Sequence, residues 1–114
     1  MSRDMGPAIS DMRKAIARLR RLRDEGGLTL APFSDERALV ERFIEILSEA
    51  SRSIPEEVKL DHPHLEWRRI ADIGNHIRHA YHRVDRDVLL NILAHDLEIL
   101  DDTLQQIVER IPKT

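Results

Sequence analysis

From Asp85 to Ile111 the chain sets Leu89, Leu93, Leu97, Leu100, Leu104 and Ile107 at intervals of three and four residues. An α-helix gathers that spacing into one continuous face. Asp85 offers a side-chain oxygen to cap the first turn, and Pro112 stops the last. Val88, Ile92 and Ile99 widen the apolar face sideways, beyond what a single packing surface covers. A chain of 114 residues builds one core, not two. The surplus apolar surface therefore predicts a second contact, most economically with another copy in a symmetric homodimer.

The same period recurs upstream. Gly6-Pro7 is a helix start, with Pro at the first helical position. Ile9, Met12, Ile16, Leu19 and Leu22 continue the helix until Gly26-Gly27 ends it, one of the two in a left-handed conformation. Arg13, Lys14, Arg18, Arg20, Arg21 and Arg23 form a basic cluster on this helix, read either as a solvated face or as a phosphate-contacting strip. After a connector from Leu28 to Phe33, Ser34 or Asp35 caps a second helix whose stripe is Leu39, Val40, Phe43, Ile46, Leu47 and Ala50. Ile54-Pro55 breaks it, Pro55 to Val58 starts one further turn, and Asp61-His62-Pro63-His64 is a loop. Trp67 then anchors the start of a third main helix. With no repeat, no low-complexity segment and no strand pattern, residues 1–114 are expected to form a single all-α domain. Its architecture is an antiparallel bundle of four main helices with short loops.

Composition narrows the function classes. Hydrophobic residues make up 41% and charged residues 34% of the chain, which predicts a soluble folded domain. No apolar run approaches a membrane span and no signal-peptide pattern opens the chain, so a cytoplasmic protein with no membrane partner is expected. Cysteine is absent, which removes disulfides and thiolate metal sites. The net charge of −3 gives no global attraction to nucleic acid, so anion binding must come from a local patch.

One stretch supplies such a patch. Between Ile70 and Val84 stand three of the six histidines, two arginines and the only tyrosine. Read as a helix, it turns Ile70, Ile73, Ile77, Ala80 and Val84 to one side, and Asn75, Arg78, His79 and His82 to the other, with Tyr81 on the border. Histidine exchanges protons near neutrality, whereas arginine stays charged and holds a phosphate through paired hydrogen bonds. Those are the groups required for metal-independent RNA cleavage. His79 is the candidate acid or base, Arg78 the phosphate-holding cation and Asn75 an orienting amide. His76 and His82 are flanking phosphate contacts. No metal or cofactor is expected: His62 and His64 in the loop lack a third ligand, and only Asp72 stands near His76, His79 and His82.

The residues from Gly74 to Tyr81, Gly-Asn-His-Ile-Arg-His-Ala-Tyr, resemble the HepT-like branch of the HEPN ribonuclease superfamily. In that branch a helix bears an Arg-Asn-x-x-x-His-x-Tyr pattern. The segment from Glu41 to Ser51 resembles the family's second helix with its Gly/Ser-Glu-Ala ending, and His64 to Ile70 resembles its Pro-x-x-Trp-x-x-Ile entry. The resemblance implies a dimeric toxin of a two-gene toxin–antitoxin system, acting on RNA in a cleft between two motif helices. It also implies a partner, a minimal nucleotidyltransferase antitoxin, which silences some members by transferring AMP to the motif tyrosine, here Tyr81. By position Asn75 matches the motif Asn and His79 the motif His.

One position departs from the pattern. Gly74 stands where the family has arginine. Either Arg78 supplies the cation, or the chain keeps the fold as a catalytically silent helical dimer that binds a nucleotidyltransferase-like partner through the same face. Glycine inside a helix costs about 1 kcal/mol relative to alanine, which points to a close backbone approach there, to a partner helix or to RNA.

Overall fold

The computed structural model describes residues 4–25, 29–79 and 85–110. The expected stop at Gly26-Gly27, the motif residues Tyr81 and His82 with their neighbours Ala80 and Val84, and the Ile111-Pro112 terminus lie outside the described residues. Helices α1 (Gly6–Glu25), α2 (Asp35–Ser51), α4 (Trp67–His79) and the rod formed by α5 (Arg86–Asn91) and α6 (Leu97–Arg110) are the four main helices expected. The single turn after Pro55 is α3 (Glu56–Leu60).

Side-chain oxygens set the helix starts. The Asp4 carboxylate accepts from the Gly6 N–H at 2.9 Å. Ser34 accepts from Arg37 N–H at 3.1 Å, and Asp85 from Asp87 N–H at 2.9 Å. Each satisfies an amide that the first helical turn leaves without a partner. Arg37 itself is buried and donates through Nη1 to the Leu30 carbonyl at 3.1 Å, tying the connector, whose Leu30 and Phe33 have positive φ, to α2.

The core is the meeting of three stripes. Ile9, Met12, Ile16 and Leu19 of α1 are buried, as are Leu89, Leu93, Leu97, Leu100, Leu104 and Ile107 of the C-terminal rod. On α2 the buried face is rotated from the expected one. Val40 and Leu47 are inside, but so are Ile44, Ser48 and Ser51, while Phe43, Ile46 and Ala50 are half-buried and Leu39 is 45% exposed. Hydrophobicity alone assigns serine to solvent. Here both hydroxyls are satisfied inside: Ser51 donates to the Ser48 carbonyl at 2.6 Å and Ser48 to the Ala71 carbonyl at 2.8 Å.

The C-terminal rod carries a feature that its leucine pattern did not announce. Residues Ile92–Asp96 form a π-helical turn, in which the Leu97 N–H bonds to the Ile92 carbonyl rather than to that of Leu93. The Leu93 carbonyl instead accepts from Arg23 Nη1 at 2.9 Å. This guanidinium belongs to the basic cluster of α1, and much of that cluster is committed in the same way. Arg20 bridges Glu98 at 2.6 Å and Asp101 at 3.0 Å, Arg13 lies 3.6 Å from Asp101, and Arg23 reaches Glu98 at 3.1 Å. Three of the six bases thus bind α1 to α6, so the phosphate-strip reading fails for them.

These bonds hold the Glu98 carboxyl below its usual range, chiefly through the hydrogen bond from Arg20 and then that from Arg23. A carboxylate depressed on folding stabilises above its unfolded pKa, about 4.3, and that contribution is lost as pH falls through the lower folded value. Urea midpoints of Glu98→Gln are accordingly expected below wild type at pH 7, with the gap closing below about pH 4. An equal gap at pH 7 and pH 3 contradicts the assignment.

Candidate functional site

The motif helix α4 leans on α2. Its buried residues are Trp67 and Gly74, two turns apart on one side. The Trp67 indole donates to the His62 carbonyl at 3.1 Å, so the tryptophan is the packing anchor expected. At Gly74 the two helices touch most closely. A Cβ there would lie 2.5 Å from Ser48 Oγ and 2.6 Å from Ser48 Cβ. The Ser48 hydroxyl accepts from the Gly74 N–H at 3.1 Å and donates to the Ala71 carbonyl, so one side chain is stitched into the backbone of α4. The close approach anticipated from Gly74 is therefore to α2 of the same chain.

The contact at Gly74 pins one flank of the helix and leaves the adjoining polar side outward. Asn75, His76, Arg78 and His79 are all exposed. Asn75 and His79, one turn apart, point within about 40° of each other, with Arg78 beside them toward α2 and His76 flanking the far side. Arg78 Nη2 lies 3.6 Å from Glu49 Oε2, and Nε of Arg52, the residue that caps the C-terminus of α2, lies 3.9 Å from the same carboxylate oxygen. Arg52 Nη2 in turn donates to the Ala71 carbonyl at 2.9 Å. Glu49, from the Ser48-Glu49-Ala50 ending of α2, and Arg52 join the site through contacts that the helical period of α4 does not mark, because they depend on how α2 is rotated against α4.

The expected apolar stripe of α4 is only half covered. Ile70, Ile73 and Ile77 are half-buried. The C-terminal rod stands off from α4, leaving a groove of about 300 Å³ whose lining includes Ile70, Ile73, Ile92, Ile99 and Leu100. Ile99 is 47% exposed. The loop histidines are structural: His62 is buried, and His64 Nε2 sits 2.9 Å from Thr103 Oγ1. Among the described residues no group of three His, Cys, Asp or Glu side chains is placed to hold a metal ion, and no helix is long and apolar enough to cross a membrane.

The family model described as ribonuclease HepT-like matches residues 12–109, from α1 to near the end of α6. The chain belongs to the HepT-like ribonuclease family. Over 66 residues it is 35% identical to "Probable ribonuclease HepT" of Thermococcus cleftensis, which covers 58% of this chain and 60% of that protein. A second relative, "Putative RNase" of Caldanaerobacter subterraneus subsp. tengcongensis, is 22% identical over 87 residues, 74% of this chain and 78% of its own length. A third, "Gamma-glutamylcyclotransferase and putative RNase" of Methanocaldococcus jannaschii, is 27% identical over 72 residues, or 32% of its length. No solved structure matches the chain. Against the HepT-like pattern, Gly74 is not a lost arginine with space left behind: the position is filled by the body of Ser48.

Proposed function

We propose that this HepT-like chain is a metal-independent endoribonuclease, the toxin of a toxin–antitoxin pair, with Arg78, His79 and Asn75 as its catalytic residues. The observation that carries this reading is the joint outward exposure of those three side chains on a helix fixed along its adjoining flank by the Gly74–Ser48 contact. The reaction needs few parts. A ribose 2′-oxygen attacks the adjacent phosphorus while a neutral His79 imidazole takes the 2′-OH proton. Arg78 holds the phosphate oxygens as charge builds on them, and the bond to the 5′-oxygen breaks as that oxygen receives a proton. The products are a 2′,3′-cyclic phosphate and a 5′-hydroxyl.

Base and acid are separate groups, and one His79 supplies one of them. A homodimer that joins two α4 helices across a cleft supplies both, and the uncovered apolar face of Ile70, Ile73 and Ile99 supports such a pairing. His76, exposed on the flank of α4, borders the path of the RNA, and His82 follows three residues beyond His79 in the sequence. A minimal nucleotidyltransferase antitoxin silences the site by transferring AMP to Tyr81, two residues beyond His79; the added phosphate would compete for Arg78.

The test is cleavage of an end-labelled RNA in the presence of a chelator. Expected are cyclic-phosphate ends, with no cut at a nucleotide carrying a single 2′-deoxy substitution. An intact RNA, together with a stable complex between this chain and a nucleotidyltransferase partner, overturns the reading in favour of a silent binding module.

A further inference from the structure

Glu49 is an acidic residue inside a site meant for a polyanion, and the reaction above gives it no role. Its Oε2 lies between two guanidiniums, 3.6 Å from Arg78 and 3.9 Å from Arg52. The two arginines are not equivalent. Arg52 is fastened by its 2.9 Å bond to the Ala71 carbonyl, one turn before Asn75, so it is referenced to the backbone of the motif helix. Among the described residues no backbone carbonyl tethers Arg78 in that way, and its ion pair with Glu49 joins two side chains that are 51% and 66% exposed.

Exposed pairs of that kind contribute little to stability. This one has a directional effect instead. A guanidinium offers five N–H groups. A carboxylate at the Nη2 edge occupies one side of the fork and leaves the other free for a phosphate. The three groups together carry a net charge of +1, enough for one phosphodiester, and Glu49 also screens Arg52 from Arg78.

We infer that Glu49 is a positioning residue for Arg78: it holds the guanidinium at the edge of α4 so that the free side of the fork faces the scissile phosphate. The inference rests on the ribonuclease reading of the same site. Removing the charge has two opposite consequences. Glu49→Gln frees Arg78 to rotate, so the chemical step slows roughly tenfold or more, as misplaced catalytic groups do. The same change adds net positive charge, so RNA binds more tightly, and the log–log salt dependence steepens by about 0.7 for one further phosphate contact on a single strand. A residue needed only for folding would not slow the reaction while tightening the substrate.

The experiment measures kcat and KM for RNA cleavage over a salt series in wild type, Glu49→Gln, Arg78→Lys and the double variant, alongside thermal midpoints. Expected are a lower kcat with an unchanged or lower KM in Glu49→Gln, an unchanged midpoint, and no added loss from Glu49→Gln in the Arg78→Lys background. Wild-type kcat in Glu49→Gln, or an independent loss in the double variant, overturns the role of Glu49 and leaves the ribonuclease reading standing. A wild-type protein that neither binds nor cleaves RNA overturns both.

Discussion

Replacing Gly74 by alanine is expected to destabilise the protein by about 1–3 kcal/mol, the range for overpacking a filled interior, although alanine is the better helix former by about 1 kcal/mol. The steric effect wins because of what the new methyl would meet. Its nearest neighbours are Oγ and Cβ of Ser48, at 2.5 and 2.6 Å. A hydroxyl can rotate away, but a Cβ is fixed to its backbone, so α2 and α4 must separate. Separation also breaks the Ser48 bonds to Gly74 and Ala71.

Gly74→Arg, which restores the residue of the HepT-like pattern, is expected to cost more and to give no gain in cleavage, since the side chain would emerge beneath α2. Urea denaturation measures both. Ser48→Gly placed in the Gly74→Ala background removes both clashing atoms, and the next nearest, Glu45 Cα at 3.5 Å, is an ordinary contact. Part of the lost stability should therefore return. A Gly74→Ala protein as stable as wild type would contradict the packing account.

This glycine also marks where sequence reading succeeds and where it stops. Its helical cost was visible in the sequence and pointed to a close approach; the partner, Ser48, was not. A serine buried by helix–helix contact looks polar in any hydrophobicity pattern, and for the same reason the apolar stripe of α2 includes the exposed Leu39 and omits the buried Ser48 and Ser51. The six aliphatic residues from Leu89 to Ile107 were legible because each is apolar and correctly spaced.

The π turn among them was not. It is matched by a guanidinium 70 positions away, Arg23, which takes the Leu93 carbonyl. Long-range pairing likewise decided the basic cluster of α1: Arg13, Arg20 and Arg23 look available for phosphate until Glu98 and Asp101 are brought beside them. At the site, the outward face of Asn75, Arg78 and His79 followed from helical period alone. Glu49 lies on another helix and Arg52 at its C-cap, and only the rotation of α2 against α4 brings Glu49 to Arg78.

The second large effect concerns His79. The side chain is exposed and borders solvent, so His79→Ala removes little packing, and surface changes of this kind fall within about 0.5 kcal/mol of neutral. On the proposed mechanism the expected chemical loss is far greater. A general acid or base contributes roughly 10²- to 10⁴-fold in rate, and the deficit should persist at saturating RNA because it lies in the proton-transfer step. Arg78→Ala should cost a comparable factor, with Arg78→Lys retaining part of the rate, since a point charge replaces the fork without its paired geometry.

Single-turnover cleavage of a labelled RNA by His79→Ala, with chelator present and the thermal midpoint measured on the same preparation, is the most direct test of the outward face of α4 as the reactive surface. A rate at least about a hundredfold below wild type at an unchanged midpoint is expected. Cleavage at the wild-type rate by a folded His79→Ala protein would contradict it.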